Sequence, residues 1–172
     1  MHYAIIETGL GQIGIGWTER GVARLALPSN RLADQLSRWG RREDPPEPIL
    51  PIVERVTSYG AGDPVDFDGF ELDLGAVPEF HRAAYADIRR LKWGQTTTYG
   101  DIARRLGDVQ LARAVGQAMG ANPIPLIIPC HRVLSADGKT GGFSSPGGVA
   151  TKMKMLAIEQ AATPQGQYSF GF

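Results

Sequence analysis

The chain has 172 residues, 42% hydrophobic and 21% charged, with 18 basic and 18 acidic side chains. That balance belongs to a globular protein of one or two domains with a real core, and it excludes a wholly disordered chain. No apolar run reaches membrane-spanning length, the start MHYAIIETGLGQIGIGW lacks the basic opening and long apolar centre of a signal peptide, and one cysteine excludes both an internal disulfide and a cysteine-rich zinc site. The expected protein is a cytoplasmic monomer that holds no metal and no cofactor and touches no membrane.

The zero net charge is unevenly spread. Residues 1–80 carry 7 basic and 13 acidic side chains, residues 81–172 carry 11 and 5, so the halves stand at −6 and +6. An acidic module joined to one able to approach a phosphate backbone is the reading this suggests. In chain order, HYAIIET, GQIGIGW and GVARLALP read as three short strands of an antiparallel meander. Leu32, Leu36 and Trp39 follow at helical spacing with Gly40 as a stop. RREDPPEP at 41–48 reads as a surface linker, and Ile52, Val53, Val56 and Tyr59 as another helix. The boundary falls near residue 77, giving an N-terminal α/β domain over 1–77 and a second domain over 78–172.

The second half is dominated by helices. Pro78 and Glu79 open one whose apolar positions Phe80, Ala84, Ile88 and Leu91 run to Gly94. Thr98 with Asp101 resembles a capping box for a short helix from Tyr99 to Leu106, which Gly107 ends. Asp108 then caps a helix carrying Leu111, Ala114, Val115 and Ala118 inward, stopped at Gly120 to Pro123. The pair makes a helix-turn-helix. The fold class expected is therefore α+β, a small antiparallel sheet with helices followed by a mostly helical domain. Arg113 lies where a recognition helix presents a side chain to a groove or into the base stack, and Arg104 and Arg105 lie where phosphates would be met. Solvated arginines on a helix face are the alternative.

The stretch NPIPLIIPCHRV at 122–133 holds the only cysteine, Cys130, between a stiff apolar run and His131. Free cysteine is among the most buried residue types and often only a small hydrophobe. Its neighbour favours chemistry, because an imidazole raises the thiolate fraction and the thiolate is the nucleophile. Pro129 restricts the residue before it to extended geometry, so a rigid strand is expected to hold the sulfur.

From Trp93 to Gln160 the chain resembles the C-terminal domain of the methylated-DNA-protein-cysteine methyltransferases, also called O6-alkylguanine-DNA alkyltransferases. PCHRV at 129–133 carries the likeness, with NPIPLIIP and the RAVGQAM helix before it and GGF and a helix ending in LAIE after it; residues 1–77 are similar to the family's variable N-terminal domain more weakly. The resemblance implies stoichiometric repair of duplex DNA carrying O6-alkylguanine, and leaves open whether O4-alkylthymine is a further substrate. It makes Cys130 the nucleophile and alkyl acceptor, His131 the base that takes the thiol proton through a water, and Glu159 the residue that orients His131. Tyr99 rotates the target nucleotide and donates to guanine N3, Arg113 fills the vacated place in the stack, and Asn122 braces the turn before the active-site strand. Ala112, Arg104 and Arg132 complete the DNA side. The segment 138–152 closes over the flipped base, with Phe143, Ser144, Ser145, Gly147 and Pro125 in the pocket; this loop is longer than in some family members and has Phe143 where they have tyrosine. On the last helix, Val149, Met153, Leu156, Ala157 and Gln160 define the apolar side with Glu159 at its border.

Three other readings remain. A cysteine hydrolase needs an oxyanion site that nothing in the sequence marks. A non-catalytic module that recognises alkylated DNA would lack the acceptor cysteine. A helix-turn-helix regulator leaves the Cys-His pair unexplained.

Overall fold

The computed structural model describes residues 1–145, 147–163 and 166–167. They divide into two compact units, Met1–Ala76 with Pro123–Pro125, and Val77–Asn122 with the residues from Leu126 onward; the architecture is α+β.

In the first unit, β-branched and aromatic residues separated by turn glycines form β1 (His2–Thr8), β2 (Gly11–Thr18) and β3 (Gly21–Ala26). They pair as an antiparallel meander, with Ile5 opposite Gly14 and Ile15 opposite Leu25. A short helix, α1 (Leu32–Ser37), buries Leu32 and Leu36 beside Ala26 and Trp39. The segment after it is not only linker, because Arg41–Arg42 form β4, a parallel edge strand on β1. The open edge of β1 presents backbone groups that need partners, and the Met1 and Tyr3 carbonyls find them in the N-H groups of Arg41 and Glu43. The sheet order is β3-β2-β1-β4.

Next, α2 (Leu50–Ala61) lays Ile52, Val56 and Tyr59 inward, with Val53 half-buried, and ends at Gly62 in a left-handed conformation. Pro123 belongs to this unit through its carbonyl, which accepts the Leu25 N-H at 2.9 Å. Backbone meets backbone where the β1-β2 turn passes α2. A methyl group on Gly9 would sit 2.1 Å from the Gly60 carbonyl oxygen.

In the second unit, α3 (Glu79–Ile88) buries Ala84, Tyr85 and Ile88. It stops well short of Gly94: the Arg90 and Leu91 N-H groups turn back to the Asp87 and Ile88 carbonyls. The Leu91 carbonyl accepts from Arg132 rather than continuing a helix, and Phe80 and Leu91 are only half-buried. Then β5 (Thr97–Thr98) leads into α4 (Tyr99–Arg105). Thr98 Oγ1 accepts the Asp101 N-H at 3.1 Å and donates to its carboxylate at 2.8 Å, which closes the helix start. Asp108 caps a 3-10 turn, Val109–Leu111, and not the long helix itself. That turn runs on into α5 (Ala112–Gly120), and Tyr85 on α3 donates to the Ala118 carbonyl of α5 at 2.7 Å. Beyond it, β6 (Val133–Leu134) pairs in parallel with β5, α6 (Gly148–Ile158) follows, and β7 (Ala162–Thr163) pairs antiparallel with β8 (Gly166–Gln167).

The inward face of α6 differs from the one its apolar spacing suggests. Lys152, Met155 and Leu156 are buried, and Glu159 just past the helix end continues the same stripe, while Val149 and Met153 are 41% and 39% exposed. The reason is that the buried ammonium and carboxylate each have partners inside, so the helix settles with its two charges inward. Among the described residues no helix is long and apolar enough to cross a membrane.

The contact at Gly9 generates an expectation. Gly9→Ala forces a methyl onto a rigid carbonyl and destabilises the first unit by roughly 1–3 kcal/mol in urea unfolding, the cost of overpacking; wild-type stability in that variant would contradict the packing described.

Candidate active site

The run before Cys130 is not one extended strand. Leu126 has a positive φ of 77°, and the Cys130 and Arg132 N-H groups fold back onto the Ile128 and Pro129 carbonyls at 2.8 and 2.9 Å. Cys130–Arg132 is a 3-10 turn. Successive side chains in such a turn leave its axis about 120° apart, so three adjacent residues serve different surroundings. Cys130 lines a cavity, whereas His131 and Arg132 both reach Glu159. Asn122 closes the approach, its side-chain amide donating to the Ile128 carbonyl at 2.8 Å.

Glu159 collects the turn. Oε1 lies 2.6 Å from His131 Nε2 and accepts from Arg132 Nη2 at 3.2 Å; Oε2 accepts from Arg132 Nε at 2.8 Å and from the Gly94 N-H at 3.4 Å. The His131 and Glu159 side chains are fully buried and that of Arg132 is 6% exposed. Arg132 therefore has no place at a DNA surface. Its planar fork is spent on the carboxylate and on the Leu91 carbonyl, 2.7 Å away, because a buried carboxylate needs its charge matched.

Burial would raise the Glu159 carboxyl, but His131 and Arg132 bring it down to about 2. Burial pushes the His131 imidazole down against the pull of Glu159, and Arg132 and Lys152 push it further. The imidazole is thus uncharged at neutral pH, with Nε2-H donating to Glu159 and Nδ1 as the basic nitrogen. Burial pushes the Cys130 thiol up, while the Asn122 amide, the Lys152 ammonium and the backbone N-H groups of Cys130 and His131 favour the thiolate.

Lys152 is a candidate site residue that sequence spacing missed. It is fully buried, donates to the Val133 carbonyl, and stands 5.9 Å from the ring centres of both Tyr99 and Phe143. Burial draws its pKa down to about 8, against the pull of Cys130. The available signal was its place seven residues before Glu159, two helical turns along one stripe.

The cavity holding Cys130 has a volume of about 680 Å³, within the range of small-ligand sites. Its walls include Tyr99 from α4, Ala112 and Arg113 from α5, and Phe143 and Ser144 from the loop before α6. Arg113 is exposed, and burial raises the Tyr99 phenol, which keeps it a neutral donor. Ser144 donates to the Gly120 carbonyl at 2.9 Å. Three residues expected in the pocket do not line it. Pro125 is buried within the first unit, Gly147 caps α6 in a left-handed conformation, and the Ser145 carbonyl accepts the Gly148 N-H. Pro146 of the same loop lies outside the described residues. Arg104 is exposed and pairs with Asp101, and Arg105, its side chain 47% exposed, is bound by both carboxylate oxygens of Asp87 at 2.9 and 2.7 Å. Among the described residues no cluster of His, Cys, Asp or Glu is set to hold a metal ion.

Two expectations follow from these charges. Glu159 has a folded-state pKa below its ordinary value of 4.5, so the stability it contributes is present above that pH and is lost as the pH falls toward about 2. The stability gap between wild type and Glu159→Gln, followed by urea unfolding, narrows across that window; a gap independent of pH would contradict an ionised, paired Glu159. Lys152→Met removes the charge favouring the thiolate, so iodoacetamide labelling of Cys130 slows roughly tenfold at neutral pH, the effect of one pKa unit. Equal labelling rates would remove Lys152 from the electrostatics of the thiol.

Comparison with known proteins extends the likeness to the whole chain. Residues 79–161 match the family model described as 6-O-methylguanine DNA methyltransferase, DNA binding domain. The methylated-DNA-protein-cysteine methyltransferase of Mycolicibacterium paratuberculosis is 35% identical over 167 residues, 95% of each chain. That of Mus musculus is 31% identical over 179 residues, 96% of this chain and 84% of the mouse protein. Among solved structures, Mycobacterium tuberculosis OGT in complex with DNA superposes with a TM-score of 0.76 at 31% identity, covering 92% of this chain and 93% of that one. With a third of its residues shared along nearly its entire length, the chain belongs to the methylated-DNA-protein-cysteine methyltransferase family.

Proposed function

We propose that this protein repairs duplex DNA carrying O6-alkylguanine by moving the alkyl group irreversibly to its own Cys130, one group per protein molecule, with no cofactor. The observation that carries the reading is that the only cysteine in the sequence lines a cavity walled by Tyr99 and Arg113, while the residue next to it is a buried imidazole held by an ionised carboxylate.

The chemistry runs in one direction. His131 Nδ1 takes the Cys130 proton through a bridging water, and the thiolate attacks the alkyl carbon. The new S-C bond forms as the C-O6 bond breaks; the electron pair left on O6 is taken into the guanine ring while Tyr99 hydrogen-bonds to N3, and the guanine anion takes up a proton equivalent to the one His131 received, which His131 returns to solvent. A thioether is a poor leaving group, so the protein is consumed. The ammonium of Lys152 favours the thiolate before attack.

The target base must leave the stack to reach the sulfur. Residues 78–172 are proposed as the DNA-binding and alkyl-acceptor domain and 1–77 as the N-terminal domain. Within the former, α4 and α5 act as a helix-turn-helix, with α5 toward the groove and Arg113 in the place of the extruded base; its exposure and its position on the cavity wall support this. Ala112 beside it lets the helix approach closely, and the exposed Arg104 and Arg105 are the candidates for phosphate. Phe143 and Ser144 face the alkylated base. The free thiol the reaction needs suits the reducing cytoplasm, which is the proposed location.

Incubation with excess duplex carrying one O6-methylguanine, followed by intact-mass and peptide analysis, is expected to add one methyl group on Cys130 and then stop. Cys130→Ala gains nothing. Tight binding of the damaged duplex with no mass change would make the protein a recognition module instead, and a signal that turns over many times would make it a hydrolase.

A further inference from the structure

We infer that Arg132 is a positioning residue for His131: by binding both oxygens of Glu159, its guanidinium keeps the His131-Glu159 pair from taking up a proton and so holds His131 as an uncharged base. The inference rests on the alkyl-transfer reading above and concerns a residue that the family resemblance places at the DNA.

Charge in a closed space must be balanced. His131 and Glu159 are fully buried, and Glu159 is anionic. Without a third member the pair would be a buried net negative charge, which proteins neutralise by binding a proton. The proton would belong to the pair as a whole. Placed on His131, it makes an imidazolium that accepts nothing. Placed on Glu159, it reverses the 2.6 Å bond, so that Nε2 accepts and Nδ1 carries the hydrogen. Either arrangement removes Nδ1 as the acceptor of the Cys130 proton.

Arg132 prevents both. Its Nε and Nη2 lie 2.8 and 3.2 Å from the two carboxylate oxygens, and Nη1 is anchored on the Leu91 carbonyl at 2.7 Å. The guanidinium, carboxylate and imidazole then sum to zero charge. A further proton would create a net positive charge in an interior that already holds the Lys152 ammonium. The titratable groups that bear on His131 are Lys152 and Glu159 on the α6 stripe and Arg132 and Cys130 on its own turn, with the Gly94 N-H completing the carboxylate shell. The low His131 pKa, to which burial, Arg132 and Lys152 all contribute, agrees with this arrangement.

The test has two arms. Nitrogen-15 NMR of the wild-type protein follows the His131 ring through acid to neutral pH; a neutral ring carrying its hydrogen on Nε2 is expected, and an imidazolium at pH about 7 overturns the inference without reference to activity. Single-turnover methyl transfer from a duplex containing O6-methylguanine is then compared for wild type, Arg132→Met and Arg132→Lys, with the ratio to wild type cancelling the titration of Lys152. For Arg132→Met the ratio is expected at about one tenth near pH 7, one pKa unit of proton uptake, and to climb toward one near pH 9. Arg132→Lys keeps the charge but loses the fork, and its ratio stays flat with pH. A flat ratio for Arg132→Met means that Arg132 only braces the turn. Should Arg132→Met fail to fold, the NMR arm decides. If wild type itself transfers no methyl group, the alkyl-transfer reading fails, while the His131 protonation state still judges this inference.

Discussion

The buried carboxylate of Glu159 is the constraint around which the second unit is organised. It receives donors from the turn carrying Cys130 and from the segment after α3, so two stretches far apart in the chain end on one pair of oxygens. Such a group cannot be satisfied halfway. Removing one partner of a buried pair costs about 3–5 kcal/mol, because the other charge is left in a medium that cannot solvate it. The carboxylate therefore accounts for the inward course of Arg132 and, with the buried ammonium of Lys152, for the face that α6 turns inward.

The same constraint separates the roles of neighbours. In an extended strand Cys130 and Arg132 would share one face and His131 the other. The 3-10 turn instead gives Cys130 to the cavity and both His131 and Arg132 to the carboxylate. The nucleophile meets the substrate space while its electrostatic support stays behind it, sheltered from water. Lys152 completes the division, since its ammonium is buried against the Val133 carbonyl and lies near the rings of Tyr99 and Phe143, both of which line the cavity.

Reactivity in this arrangement comes from balance more than from a single strong perturbation. Burial raises the thiol, and four weaker influences oppose it. A thiol protected by burial is spared casual oxidation and alkylation. That suits a protein that reacts once.

Much of this was legible in the chain itself. The meander showed in three β-rich runs divided by glycines, α4 in the Thr98-Asp101 box, and the lone cysteine beside an imidazole in PCHRV, because these signals are local: spacing, capping and residue chemistry act within a few positions. Beyond the His131-Glu159 pairing that the family resemblance implied, the tertiary structure decided the remaining partners of buried charge. The spacing of α6 pointed to Val149 and Met153, and the fold buried Lys152 and Glu159 instead, since a reader of periodicity sends charges outward and only three-dimensional pairing makes the inward choice favourable. The family resemblance put Arg132 at the DNA, and the fold spends its guanidinium on Glu159 and the Leu91 carbonyl instead. The turn at Cys130–Arg132 was equally hidden, because the positive φ of Leu126 and the backbone bonds that close the turn depend on contacts which no short stretch of sequence contains.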